Sequence, residues 1–368
     1  MEIVHLILGK ANPARMNGVN KVVYQLATYQ KTMGRNVSVW GITHDLSHNY
    51  GERSFDTKLF QAQKNPFSID KELKDALLDK KKDIIIHLHG GWIPVYSTLA
   101  KFLHKNQIPF VITPHGAYNK IAMQRSRISK AIYYQIFESH VLEYCNYIHA
   151  IGASEVAGIS GLYANDKTQL IPYGFDTTQI TRTQDPDPDT FVFGFVGRLD
   201  IHTKGLDLII AAFKKFQSIN QKTFLWIIGN GSDFFKLQSL IEKNKLQDHV
   251  ILFGSKYGQE KDHLMSAMNV FVHPSRNEGL PSSVIEASSL GIPSIVSIAT
   301  NIADLISKYN AGISISNESV EELHEAMHRL HEQWLKGELS QMQSKAISMV
   351  KENFSWPTLI EKFDELYL

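Results

Sequence analysis

The feature that most constrains this chain is a rhythm. Short, nearly continuous apolar runs recur, each followed by a longer stretch with helical spacing. Residues 3–8, 36–42, 83–90, 109–116 and 147–152 read as strands, and 19–34, 96–107 and 128–145 as helices. A strand that is apolar on both faces leaves water completely only in a parallel sheet covered by helices on both sides. A polar stretch with two prolines, 181–190, then breaks the pattern, as a linker would. The rhythm restarts with strands at 191–197, 224–231, 250–254, 269–275 and 293–297. Helices follow at 205–219, 233–246, 319–335 and from 355 to 368, with Pro281 fitting the first position of a further helix and Ser355 a plausible cap for the last. The fold class expected is therefore α/β, with two Rossmann-like doubly wound domains in tandem. Ligands of such sheets bind beyond the carboxyl ends of the strands, so a cleft between two domains is the default site.

Composition supports this frame. A chain of 368 residues exceeds one ordinary core and suits two. Apolar residues make up 43%, which excludes disorder, and a net charge of +1 gives no bias toward nucleic acid. Residues 1–180 carry 20 basic and 14 acidic side chains, while the remainder carries 18 and 23. A basic first half suits an anionic partner, and equally a chance imbalance of solvated side chains. The single cysteine, Cys145, permits no intrachain disulfide and fits a reducing compartment. No run approaches the ~20 apolar residues of a spanning helix. A cytoplasmic protein is expected, soluble or peripheral at the inner face of the plasma membrane.

The strand ends of the second half carry candidate chemistry. Gly197-Arg198 closes one strand and Lys204-Gly205 opens the next helix. An arginine fork, a lysine point charge and a helix N-terminus together suit a diphosphate, although solvated loop charges give the same letters. The stretch SRNEGLPSSVIEASSLG (275–291) places Glu278 before a helix and Glu286 inside it. Leu280 cannot cap that helix with its side chain, so the N–H groups of Ser282 and Ser283 are left for an outside anion. Carboxylates accept paired hydrogen bonds from hydroxyls, as from a ribose diol. An acid drawn to a helix N-terminus and one surface acid would look the same.

As a set, Gly-Arg-x5-Lys-Gly followed by Pro-Ser-x-x-Glu-Gly-x-Pro-x4-Glu resembles glycosyltransferase family 4, the retaining, metal-independent group 1 enzymes of the GT-B fold, in its bacterial surface-polysaccharide members. The resemblance implies that Arg198 and Lys204 grip the donor diphosphate, Glu286 binds the nucleotide ribose and Glu278 holds the sugar hydroxyls. The backbone from Gly279 through Leu280, Ser282 and Ser283 would complete the phosphate site. TPHGAY (113–118) resembles a motif whose histidine, here His115, enters the cleft near the transferred sugar. HLHGGW (87–92) resembles a neighbouring strand end, with His89 lining the acceptor side. A lone histidine in such a place is also commonly a packed, hydrogen-bonded side chain. The implied domains are 1–180 on the acceptor side, joined by the C-terminal helix 356–368, a linker at 181–190, and a donor domain at 191–355.

The family's first loop carries Gly-Gly, where this chain has Asn17-Gly18. Gly18 still admits a close ligand and Asn17 tolerates unusual backbone angles, so both belong to the expected phosphate site. The Asp-x-Asp of 185–189 resembles a metal chelator but lies in the proline-broken linker, so no metal and no cofactor are expected. His-x-His at 87–89 suggests half a metal site without visible further ligands. The expected activity is transfer of a hexose from a nucleotide-diphosphate sugar, UDP-linked by preference and GDP-mannose otherwise, to a glycan or lipid-linked acceptor. Residues 119–137 mix Lys120, Arg125, Arg127 and Lys130 with apolar side chains, which suits a membrane surface or a helix packed on the sheet. A sugar-nucleotide epimerase, a phosphorylase or a silent nucleotide-sugar binding protein are the alternatives. A two-domain NAD enzyme lacks its Gly-x-Gly-x-x-Gly after the first strand.

Overall fold

The computed structural model describes residues 1–12, 18–119, 122–123, 127–175, 182–183, 186–219, 222–276, 278 and 280–368. Two compact units result, one of Met1–Gly174 with Trp356–Leu368 and one of Phe175–Ser355. The division falls ahead of the polar stretch 181–190, part of which packs on the second unit. There the Arg182 guanidinium donates to the carbonyls of Ser266 and Met268.

The first unit is a parallel seven-stranded sheet. Its strands are β1 (Glu2–Leu8), β2 (Val37–Thr43), β3 (Asp56–Gln61), β4 (Ile84–His89), β5 (Phe110–Thr113), β6 (Tyr147–Ala150) and β7 (Thr168–Leu170), in the order β3-β2-β1-β4-β5-β6-β7. Alternate residues of β1 explain the layering. Val4 and Leu6 face the helices Lys71–Asp79 and Pro94–Lys105, whereas Ile3 and Ile7 face Gly18–Thr32 and Trp356–Glu365. The last helix thus belongs to the first unit's core. Trp356 is buried and stacked on Tyr29, and Arg35 forks onto Asp364 at 3.1 and 2.5 Å.

The second unit is a parallel six-stranded sheet of β8 (Phe191–Val196), β9 (Thr223–Ile228), β10 (Val250–Gly254), β11 (Val270–His273), β12 (Ser294–Ser297) and β13 (Gly312–Ile315). Its order, β10-β9-β8-β11-β12-β13, places the topological switch point between β8 and β11. Helices Leu206–Gln217 and Val320–Leu335 cover one face, and Ser282–Ser289 and Leu339–Phe354 the other.

The expected helix 128–145 is interrupted by a π turn over Tyr134–Glu138. A π turn inserts one residue and rotates the side chains that follow it. Here Glu138 ends buried, accepting from the Trp92 N–H at 2.7 Å and from the Tyr118 hydroxyl.

Candidate functional site

In the second unit the candidate residues gather beyond β8 and β11. Gly229, with φ 147°, lies against the strand end before Arg198, and a Cβ there would sit 1.8 Å from the Gly197 carbonyl oxygen. Only glycine allows the ends of β8 and β9 to meet so closely. Gly205 acts similarly in a left-handed conformation, φ 67°, with its hypothetical Cβ 2.2 Å from the Pro274 carbonyl. That approach carries Lys204 to the loop after β11, where its ammonium donates to Glu278 Oε2. Thr203 holds the same loop, its carbonyl accepting from Ser275 Oγ at 2.8 Å and Arg276 N at 3.0 Å. Arg276 in turn forks onto Asp207 with two 2.8 Å contacts.

Glu278 also receives His273 Nε2 at 3.3 Å. Burial pushes the Glu278 carboxyl up, but the His273 and Lys204 contacts together outweigh it and hold the group at about 2. Burial keeps His273 neutral, lying parallel to Phe195 with ring centres 5.6 Å apart. Its Nδ1 has no partner among the described residues. Glu286 is paired with Lys261 at 2.6 Å. Helix Ser282–Ser289 starts after Pro281, which is its N-cap rather than the first helical residue expected. No side chain caps it, and the Ser282 and Ser283 N–H groups have no partner among the described residues. Leu280 packs on the core beneath, leaving only its backbone available. Arg198 is 71% exposed, 3.9 Å from Asp200.

Lys204, Glu278 and the start of the Glu286 helix are therefore brought to one switch point. Lys204 and Glu278, given separate roles from the sequence, are paired with each other. Gly279 and Asn17 lie outside the described residues, and Gly18 opens helix Gly18–Thr32. Sequence reasoning missed His273 and Lys261. His273 ends an apolar strand five residues before Glu278, which was a usable signal, whereas Lys261 lies in a helix, Gly258–Ser266, of weak periodicity.

In the first unit the histidines collect at the sheet centre. His5 lies beside His87 across the β1–β4 pair, and His89 lies beside Thr113 across β4–β5. His89 is 2% exposed, with one nitrogen 2.9 Å from His5 and the other 2.9 Å from His115. It does not line an acceptor surface as expected, because β4 holds it inside, behind His115. His115 itself has φ 56°, unusual outside glycine, and its Nδ1 is 2.5 Å from the Tyr173 hydroxyl. Glu155 accepts from Gly116 N at 2.6 Å and so secures this turn. Burial pushes His115 down to about 3 and His5 and His149 to about 4.

On the helix before the π turn, Lys130 reaches the Ala122 carbonyl at 2.5 Å and lies over Trp92. Lys120, Arg125 and the Arg127 side chain lie outside the described residues. Ile128, Ile132 and Ile136 are 78, 56 and 51% exposed. No helix of the described residues is long and apolar enough to cross a membrane.

Known proteins share this architecture. The family description "Glycosyl transferases group 1" matches residues 176–349, and "Glycosyltransferase Family 4" matches 16–179. The O-antigen biosynthesis glycosyltransferase WclY of Escherichia coli is 23% identical over 316 residues, covering 81% of this chain and 86% of that one. An uncharacterized glycosyltransferase of Methanocaldococcus jannaschii, MJ1059, is 34% identical over 139 residues, 35% of this chain and about a third, 34%, of that relative. Anabaena HepE, crystallised in complex with UDP, superposes with a TM-score of 0.75 at 15% identity over 99% of both chains. The fold is thus a two-domain α/β fold of the GT-B type. The chain belongs to the group 1 glycosyltransferases.

Proposed function

We propose that this glycosyltransferase is a retaining enzyme that moves a hexose from a nucleotide-diphosphate sugar, UDP-linked by preference, to a glycan or lipid-linked acceptor of a surface polysaccharide. The observation that carries this reading is the Lys204–Glu278–His273 group beside the uncapped helix start at Ser282. The helix N–H groups and the Arg198 and Lys204 charges receive the diphosphate, supplying the electrostatic stabilisation that a metal ion gives elsewhere. Glu286, steadied by Lys261, accepts the ribose hydroxyls, and Glu278 accepts those of the sugar. His115 contacts the transferring sugar, and the first unit receives the acceptor.

In this reading the bond from sugar C1 to the diphosphate oxygen breaks as the acceptor oxygen bonds to C1 from the same face. The acceptor proton passes to the departing phosphate oxygen. The UDP preference is supported by HepE's complex, and the polysaccharide setting by WclY. The exposed isoleucines 128, 132 and 136 support seating on a membrane surface, where a lipid-linked acceptor is found. A thermal-shift panel of UDP- and GDP-sugars tests the donor, since a ligand bound by the folded chain raises Tm. A panel in which no nucleotide sugar moves Tm, or Lys204→Ala retaining full transfer, would overturn the proposal.

A further inference from the structure

The buried histidines of the first unit form more than a cluster, because their protons can be assigned from one end. His149 Nε2 is 2.6 Å from the Ile171 carbonyl, which can only accept, so the proton is on Nε2. His149 Nδ1 therefore accepts from the Thr113 hydroxyl at 2.7 Å. A hydroxyl has one proton, so Thr113 Oγ1 accepts from His87 Nε2 at 2.6 Å. His87 Nδ1 then takes the Tyr367 proton at 2.8 Å, and the Tyr367 oxygen accepts the Gln30 amide at 3.3 Å. The Gln30 carbonyl is thereby turned to His5 Nε2, 2.6 Å away, which must donate. His5 Nδ1 accepts from His89 Nε2, and His89 Nδ1 from His115 Nε2, each at 2.9 Å. His115 Nδ1 ends the run by accepting from the Tyr173 hydroxyl at 2.5 Å.

The geometry points to one directed chain of nine hydrogen bonds that locks His115 as its Nε2–H tautomer, with Gln30 and Tyr367 as positioning residues. The chain runs from Tyr173 through the sheet centre and returns to Ile171, two residues away. Burial keeps all five rings neutral, as a one-directional chain requires. Nδ1 of His115 is then a hydrogen-bond acceptor, and a substrate hydroxyl would donate to it by displacing the Tyr173 hydroxyl. This consequence rests on the proposed sugar contact of His115; the tautomer assignment does not. Nitrogens of His5, His87 and His89 lie within 4.8 Å of one another, a spacing that suits metal ligands, but each ring nitrogen already has a partner in the chain.

The test is long-range ¹H–¹⁵N correlation NMR of the histidine-labelled full chain at pH 7.5, with and without one equivalent of zinc. His5, His87, His89, His115 and His149 are expected to be Nε2–H, with zinc changing none of them. Tyr367→Phe removes the link between the carbonyl anchor and Gln30, whose amide is then free to turn. His5, His89 and His115 should acquire an Nδ1–H population together, while His87 and His149 keep Nε2–H. Gln30→Met, which removes the acceptor of His5, should release the same three if Tyr367→Phe fails to fold. Any of the five found as Nδ1–H or imidazolium in the unaltered chain would overturn the proposal. So would a variant that shifts all five alike or none, and stoichiometric zinc uptake by the cluster would make it a metal site instead. Full donor turnover by His115→Ala would refute the sugar contact and leave the tautomer result standing.

Discussion

Glu278 and Glu286 are separated by eight residues, and their surroundings make them fail differently. Glu278 accepts from both Lys204 and His273, so the ion pair and the site are the same object. Replacing it with glutamine frees Lys204 for phosphate. UDP should then bind at least as tightly, while transfer falls on the order of 10²-fold, the usual scale for losing one well-placed electrostatic contact. Glu286→Ala instead removes the ribose acceptor and leaves Lys261 unpaired. UDP affinity should fall roughly tenfold or more, the loss expected for a hydrogen bond to a charged group. Isothermal titration with UDP and initial rates with a nucleotide sugar separate the two, and matching profiles for both variants would refute the assignment. The glutamates were legible because a strand end, a proline and a helix lie within one short stretch. Their pairings were less legible, because Lys204, itself read as a candidate, is a β-strand crossover away from Glu278 and Lys261 comes from another helix. Only the sheet order brings them together.

Among the elements, those buried on both faces announced themselves, as β1 and β4 did with runs of isoleucine, leucine and valine. The edge strand β3, DTKLFQ, alternates exposed and covered residues and was not read. Nor were three-residue β7 or the helices Lys71–Asp79, Ala153–Leu162, Gly258–Ser266, Ala303–Tyr309 and Leu339–Phe354. The helix at Arg127–Tyr133 was read, but its apolar stripe was ambiguous between core and membrane. The exposure of Ile128, Ile132 and Ile136 turns the stripe outward, while Lys130 folds back over Trp92. Changing those isoleucines to serine should lower co-flotation with anionic vesicles several-fold, with Tm changing by no more than a few degrees. Removing the Lys130 charge should do much less. Equal flotation of the triple variant and the unaltered chain would dismiss the membrane surface.

Across the whole molecule, the buried histidines place most of the acid sensitivity in one unit. His5 and His149 titrate at about 4 and His115 at about 3 when folded, against an ordinary 6.5, and His87 and His89 are lowered in the same direction by burial. A histidine whose folded pKa is depressed is neutral in the native state and protonated on unfolding. Its contribution is complete above pH 6.5 and is lost as pH falls toward the folded value. Each such group weakens the unit as pH falls inside that window. Glu138 and Glu155, raised by burial, act oppositely near their own pKa values, but they are two groups against five. In the second unit burial shifts His273 and His331 down, and Glu278, held at about 2, loses its contribution only below pH 4.5. From pH 7.5 to 5.0 the first unit should therefore lose stability before the second. Because helix Trp356–Glu365 packs on β1 and β4 residues, it should open with that unit although it follows the other in sequence. Hydrogen exchange corrected for intrinsic rates should show β1, β4, β6 and residues 356–368 losing protection together at pH 5.0, with β8 and β9 still protected. Loss of protection in β8 and β9 first would place the acid-sensitive groups in the second unit and remove the histidines from this role.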